Sequence, residues 1–191
     1  MSNVITNSYT FVQPCVESDY QNSPVTSSGG GRTIEGTSRA GVGFQINSGH
    51  VLEGKKILRV VVKLDNDNRT PDATLSVRLR NSSFAIVGTF NQMDATGLTT
   101  SPTEYTFGEG DGRTPAGVAV QSSTDDMITV EYADTGDAIQ IRQSYTTESN
   151  YVTNASTLYA TSTAYNSWST WQDGYSPYYY YWYWLECVYC A

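Results

Sequence analysis

Residues 175–191 hold seven tyrosines, two tryptophans and two cysteines around a single charge, Glu186. So much aromatic surface at a chain end has to be covered by something. No glycine or proline interrupts the run after Pro177, and aromatic residues favour an extended, pleated backbone. The pattern therefore predicts one long strand over residues 178–190. On a period of two, Tyr178, Tyr180, Trp182, Trp184, Glu186, Val188 and Cys190 share one face, and Tyr179, Tyr181, Tyr183, Leu185, Cys187 and Tyr189 the other. Neither face is solvated in character. One face should meet the domain's own core, and the other a second sheet, another subunit or a flat ligand. Tyr179, Tyr180, Tyr181, Trp182, Tyr183 and Trp184 are thus candidate assembly residues. A central strand of an ordinary sandwich, its hydroxyls reaching solvent at the strand ends, satisfies the same pattern.

The rest of the chain beats at strand length. Only 16% of its 191 residues are charged, the profile of a strand-and-turn protein. Short alternating runs recur every ten to fifteen positions at residues 40–46, 57–64, 73–80, 84–90, 103–107, 116–121, 127–132 and 138–142. These are eight body strands. Leu58, Val60, Val62 and Leu64 should face inward with Arg59 and Lys63 opposite; Leu75, Val77 and Leu79 inward with Ser76, Arg78 and Arg80 opposite. Ile128, Val130, Tyr132, Ile139 and Ile141 are further core candidates. No helical period is sustained over the roughly ten residues a helix needs. The class is all-β.

Residues 1–39 are polar, with a Ser-Pro step and a triple glycine at residues 29–31. They read as an N-terminal arm and linker, which could pair with a neighbouring subunit, and residues 40–191 as the sandwich with its aromatic strand. Three cysteines, Cys15, Cys187 and Cys190, lie near the two ends. Positions three apart on a strand point to opposite faces, so Cys187 and Cys190 are poorly placed to bond each other. A bond to Cys15, an intermolecular disulfide and buried thiols all remain open. The N-terminus shows neither a basic start nor an apolar stretch of signal-peptide length, and no run reaches the roughly 18 apolar residues that span a bilayer. The expectation is a chain made in the cytoplasm without a signal peptide, with no membrane insertion.

The formal charge of −8 is spread without an acidic block, and no basic stripe accompanies the aromatics, which argues against nucleic acid. Catalysis finds little footing. The single histidine, His50, lies beside Gly49 in a predicted turn, and no nucleophile elbow, zinc-protease helix or phosphate-cradling loop occurs. The chain reads as a non-enzyme. Trp168, Trp171, Asp173 and Tyr175, with Asn166 and Gln172, gather flat rings, amides and a carboxylate in one turn-rich stretch, the mixture that recognises sugars. The turn carrying Asp65, Asp67 and Asp72, with Asn66 and Asn68 between, collects oxygen ligands of the kind Ca²⁺ takes, although such turns also bond their own backbone. Asp125 and Asp126 read most simply as a hairpin turn.

The order GVGFQI, KKILRVVVKL, a DxDxxTPD turn, SVRLR, TEYTF, MITVEY and late Trp, Asp and Tyr elements resembles carbohydrate-binding-module-like jelly rolls of prokaryotic surface proteins and of viral fibre and capsid-decoration proteins. The resemblance spans roughly residues 40–184. It implies a jelly-roll-like antiparallel sandwich, a place on a virion or extracellular surface, and a structural calcium. The resulting expectation is a non-catalytic structural subunit that self-associates, or joins a larger particle, through its aromatic strand and N-terminal arm. A carbohydrate-binding module attaching to surface glycans is the alternative.

Overall fold

The computed structural model describes residues 15–21, 28–35, 40–108, 120–132, 137–146, 158–161, 168–170, 180–183 and 185–191. In chain order the strands are β1 (Glu17–Gln21), β2 (Ser28–Glu35), β3 (Gly41–Gln45), β4 (Lys56–Asp65), β5 (Thr74–Arg80), β6 (Ile86–Asp94), β7 (Thr103–Gly108), β8 (Val120–Gln121), β9 (Met127–Tyr132), β10 (Ala138–Thr146), β11 (Leu158–Thr161), β12 (Trp168–Thr170), β13 (Tyr180–Tyr183) and β14 (Leu185–Cys190). One 3-10 turn, Ala95–Gly97, follows β6, with the Asp94 side chain accepting from the Thr96 N–H at its start. The strands form two antiparallel sheets, the all-β sandwich that the alternation predicts.

The first sheet is organised around β4. Val62 pairs with Tyr105 of β7 on one side and Leu185 of β14 on the other, and Leu64 pairs with Thr103 and with Ile141 of β10. Strands β10 and β14 therefore occupy the same edge of β4, one after the other, in a single lane. The opposite edge repeats the arrangement: β7 ends at Gly108 opposite Arg59, and β8 resumes the lane at Val120 opposite Ile57. A fourth lane holds β1 beside β14 and β2 beside β10. The second sheet runs β12-β11-β3-β9-β5-β6. When the lanes and strands of the sandwich are numbered by first appearance along the chain, the first sheet reads 1-8-3-6 and the body of the second 2-7-4-5.

Between the sheets lies one core. Val60, Val62 and Leu64 of β4, Leu75, Val77 and Leu79 of β5, Ile128, Val130 and Tyr132 of β9, and Ile139 and Ile141 of β10 all belong to it, as their alternation predicts. The residues between them on β5 and β9 point away from that core. Several are nonetheless buried, and they satisfy one another. Glu131 accepts from Arg80 through Nε at 2.6 Å and Nη2 at 3.0 Å, from Arg78 at 2.6 Å and from the Thr129 hydroxyl at 2.6 Å. A buried carboxylate is tolerated on these terms because its charge and lone pairs are both met.

Three sequence expectations change. Residues 17–21 and 28–35, read as arm and linker, are strands β1 and β2 of the first sheet, and Ile34 is wholly buried. A glycine run offers no side-chain periodicity, yet its backbone pairs as well as any other. Phe84, read as opening a strand, instead sits in the turn before β6 with φ 64°. Leu58 lies on a bulge: Arg59 pairs with Val188 and Ile57 with Tyr189, leaving Leu58 unmatched. Ile57 takes the core place that a strict period of two assigns to Leu58.

Gly108 is fitted to that bulge. Its φ is +125°, and a Cβ there would stand 2.4 Å from the Leu58 carbonyl oxygen and 2.8 Å from the Arg59 Cα. Backbone cannot yield as a side-chain tip can. The variant Gly108→Ala is expected to lose about 3 kcal/mol of stability, read as a lowered urea midpoint. An unchanged midpoint would mean that the end of β7 is not seated on the bulge.

Candidate functional site

The aromatic run is divided where its pairing partner changes. Strand β14 lies inside the first sheet, between β1 and β4, with Cys187 and Tyr189 in the core. Strand β13 pairs instead with the end of β10: Tyr183 opposite Gln143, Trp182 opposite Ser144, Tyr181 opposite Tyr145 and Tyr180 opposite Thr146. The direction of pairing explains the break. Both β10 and β14 run antiparallel to β4, whereas β13 runs antiparallel to β10. After Arg142 the chain leaves the lane beside β4, and it returns along its own outgoing strand before re-entering that lane at Leu185. The single long strand predicted over residues 178–190 is thus two, because backbone pairing rather than composition sets where a strand turns.

Strand β2 continues alongside β10 into this region, so Ser144 pairs with Ser28 on one side and Trp182 on the other. The result is a three-stranded ribbon, β2-β10-β13, at the point where β10 and β4 part. Among the described residues, β14 has partners along both edges and β13 along one. The segment between the two halves of the ribbon contributes β11 and β12 to the edge of the second sheet beside β3.

The turn expected to gather calcium ligands braces the fork. Asp65 is buried, and its Oδ2 meets Arg142 Nη2 at 2.7 Å, at the residue where β10 departs. Its Oδ1 accepts from the Asp67 N–H at 2.9 Å, while Asp67 accepts from the Gln140 side-chain amide and lies 3.5 Å from Arg69 Nε. Asp72 is exposed. Among the described residues no three metal-ligating side chains converge. Asp67 and Asn68 both have positive φ, the conformation that short polar residues adopt most readily.

Of the candidate sugar-binding residues, Trp168 begins β12, and Trp171, Asp173 and Tyr175 lie outside the described residues, as do Tyr179 and Trp184 of the aromatic set. Sequence reasoning missed Arg142 and Gln140. An alternating strand pattern marks them only as outward-facing polar residues.

Strands β1 and β14 are clasped together. Cys15 and Cys190 form a disulfide with Cα atoms 5.3 Å apart, one of the pairings the spacing left open, and Cys187 is a buried thiol. Glu17 of β1 meets Arg59 of β4 at 2.7 Å, across the strand that separates them. Tyr20 of β1 packs edge-on to His50, with ring centroids 4.7 Å apart, and His50 stands at 5.4 Å from Phe44. The histidine read as a turn residue is thus buried in an aromatic seat, where the Leu52 N–H donates to its Nδ1 at 3.1 Å. That bond needs the unprotonated nitrogen. Burial holds the His50 value below the ordinary imidazole one, with nearby Glu53 acting weakly in the opposite sense. Burial, seconded by Cys187, pushes the Tyr20 phenol up.

The chain matches no protein-family model, no curated protein and no solved structure.

Two predictions come from the clasp. The disulfide closes a sequence separation of 175 residues, for which the chain-entropy argument gives about 5 kcal/mol. Cys15→Ser should therefore lower the urea midpoint, and reductant should lower that of the wild type but not of the variant. For His50, the unfolded imidazole takes up a proton near its ordinary value of about 6.5, while the folded one resists until lower pH. Its contribution is complete above that value and is lost as pH falls from there toward the depressed folded value. Denaturation at neutral and mildly acid pH should show this loss, and His50→Asn should remove that part of the pH dependence.

Proposed function

We propose that this chain is a non-catalytic structural subunit of a virion surface or extracellular filament, whose copies join along β13. The observation that carries the reading is the pairing of β13. It leaves the lane of the sandwich, runs beside β10, and among the described residues has a partner along one edge. A strand paired along one edge offers a row of backbone donors and acceptors to another strand, the basis of strand addition between chains. The composition of Tyr180–Tyr183 adds four aromatic residues to that edge.

Two further features support the reading. The Cys15–Cys190 disulfide suits an oxidising exterior, since such bonds are rare in reducing compartments. The lane order 1-8-3-6 against 2-7-4-5 is the winding of an eight-stranded jelly roll, with the segment from Arg142 to Leu185 as an excursion from its eighth lane. The N-terminal part of the assembly reading narrows. Because β1 and β2 pair within the first sheet, residues 17–21 and 28–35 are not part of an arm free to reach a neighbour.

Truncation of the whole aromatic run cannot test this, because β14 belongs to the core. The discriminating variant is Tyr181→Lys with Trp182→Lys, which charges the candidate edge and leaves β14 in place. Light scattering behind a sizing column should give an oligomer for the wild type and a folded species near 21.0 kDa for the variant. A wild type of monomer mass at working concentration would end the assembly reading.

A further inference from the structure

At one end of the second sheet two turns face each other across a cleft of about 260 Å³, lined by Gln45, Asn81, Ser82, Phe84, Asp125 and Met127. Each turn holds a non-glycine residue in the left-handed region, Phe84 at φ 64° and Asp125 at φ 62°. For a bulky side chain such as phenylalanine this conformation is a genuine outlier, kept only where the surroundings over-determine it.

They do so here. Asn81 Oδ1 accepts from the N–H groups of Ser83 and Ala85, both at 3.0 Å, and the Phe84 carbonyl accepts from Arg80 Nη1 at 2.6 Å. On the other turn the Asp125 N–H donates to the Ile46 carbonyl at 2.8 Å, and Asp126 accepts from the Ser123 N–H at 2.8 Å. Both strained residues are therefore held in place before any ligand arrives.

The chemistry of the lining is asymmetric. Its single charged group is the Asp125 carboxylate, which is exposed and accepts a long hydrogen bond, 3.4 Å, from Gln45 Nε2. No cation pairs with it among the described residues. The nearby guanidinium groups of Arg80 and Arg78 are instead committed to Glu131. Phe84 lines the same cleft. A carboxylate with an adjacent aromatic ring is the pairing that captures ammonium and guanidinium groups, through charge-assisted hydrogen bonds and the ring's negative face. The volume suits one side-chain-sized cation and falls below the roughly 300 Å³ at which drug-sized ligand pockets begin.

We propose that this cleft is a binding site for an organic cation of ammonium or guanidinium type, seated between Asp125 and Phe84. The occupant is either a small free cation or a lysine or arginine side chain of another copy of this chain. The proposal stands apart from assembly along β13.

The test is a titration of ¹⁵N-labelled full-length protein with agmatine, and separately with butylamine, following the backbone amides of the cleft. Xylitol serves as the neutral control. Saturable shifts confined to the cleft are expected for both cations, weaker at high salt than at low. Asp125→Asn should weaken both by at least about tenfold, since asparagine accepts the same left-handed backbone. Phe84→Leu should weaken them by about two- to fivefold. The salt comparison needs no variant, so a misfolded variant cannot rescue the idea. Absence of saturation, an undiminished response in Asp125→Asn, or equal binding of xylitol would overturn it. If the natural occupant is a side chain of a second copy, agmatine will lower the solution mass of the wild type; with a free cation as occupant the mass will stay constant.

Discussion

A ten-residue strand in the middle of a sheet must have its backbone groups satisfied along both edges, and β4 imposes that requirement on the rest of this molecule. Four separate segments meet it. Strands β7 and β8 share one edge, and β10 and β14 share the other. Because each edge is served by two strands in series, the chain can leave the sheet and return while most of β4 stays paired on both sides. The bulge at Leu58 belongs to the same economy of backbone. It falls where β7 gives way to β8, and Gly108 is the residue that fits against it.

The position of the C-terminus follows from this. The second lane is completed only when β14 arrives, so the last strand of the chain is an interior strand and carries Cys187 and Tyr189 into the core. Its outer neighbour is β1, which brings Cys15 to Cys190 and Tyr20 onto His50. Strands β1 and β14 are thereby joined through pairing and a disulfide, and β1 is seated on His50. The β13 part of the same aromatic run pairs with β10 rather than β4, beyond Arg142, where Asp65 holds β10. One run of aromatic residues therefore has two settings: β14 lies between β1 and β4 with Cys187 and Tyr189 in the core, and β13 pairs with β10.

The second sheet manages charge differently. Its outer face buries Glu131, Arg80 and Thr129 as a self-satisfied group. Arg80 also fixes the Phe84 carbonyl, tying that group to one wall of the cleft. The two turns that form the cleft connect β5 to β6 and β8 to β9, and register places Arg80 opposite Met127, one of the lining residues. Preorganisation there comes from backbone hydrogen bonds and the Arg80–Glu131 pair, and leaves the Asp125 carboxylate as the charge turned to solvent.

Alternation within one strand is a local property, and it was readable in the sequence. The all-β class, the core faces of β5 and β9, and the inward residues of β10 all follow from side chains pointing to opposite sides at every second position. Alternation bounded by turn residues placed the ends of β4, β5, β7 and β9 to within one residue, while β6 runs on to Asp94 beyond the expected residue 90. The glycine-rich β2 was not legible, since glycine carries no side chain to alternate, and neither was Phe84's turn, whose left-handed backbone goes against its residue type. Composition and alternation dictate a sandwich of short strands with an aromatic end that needs cover. The division of this end into β13 and β14, the grip of Asp65 on Arg142 at the fork and the pairing of Cys15 with Cys190 arise in the fold. Each of these depends on which strands share an edge of β4, a choice made by backbone pairing between residues far apart in the chain, on which local periodicity is silent.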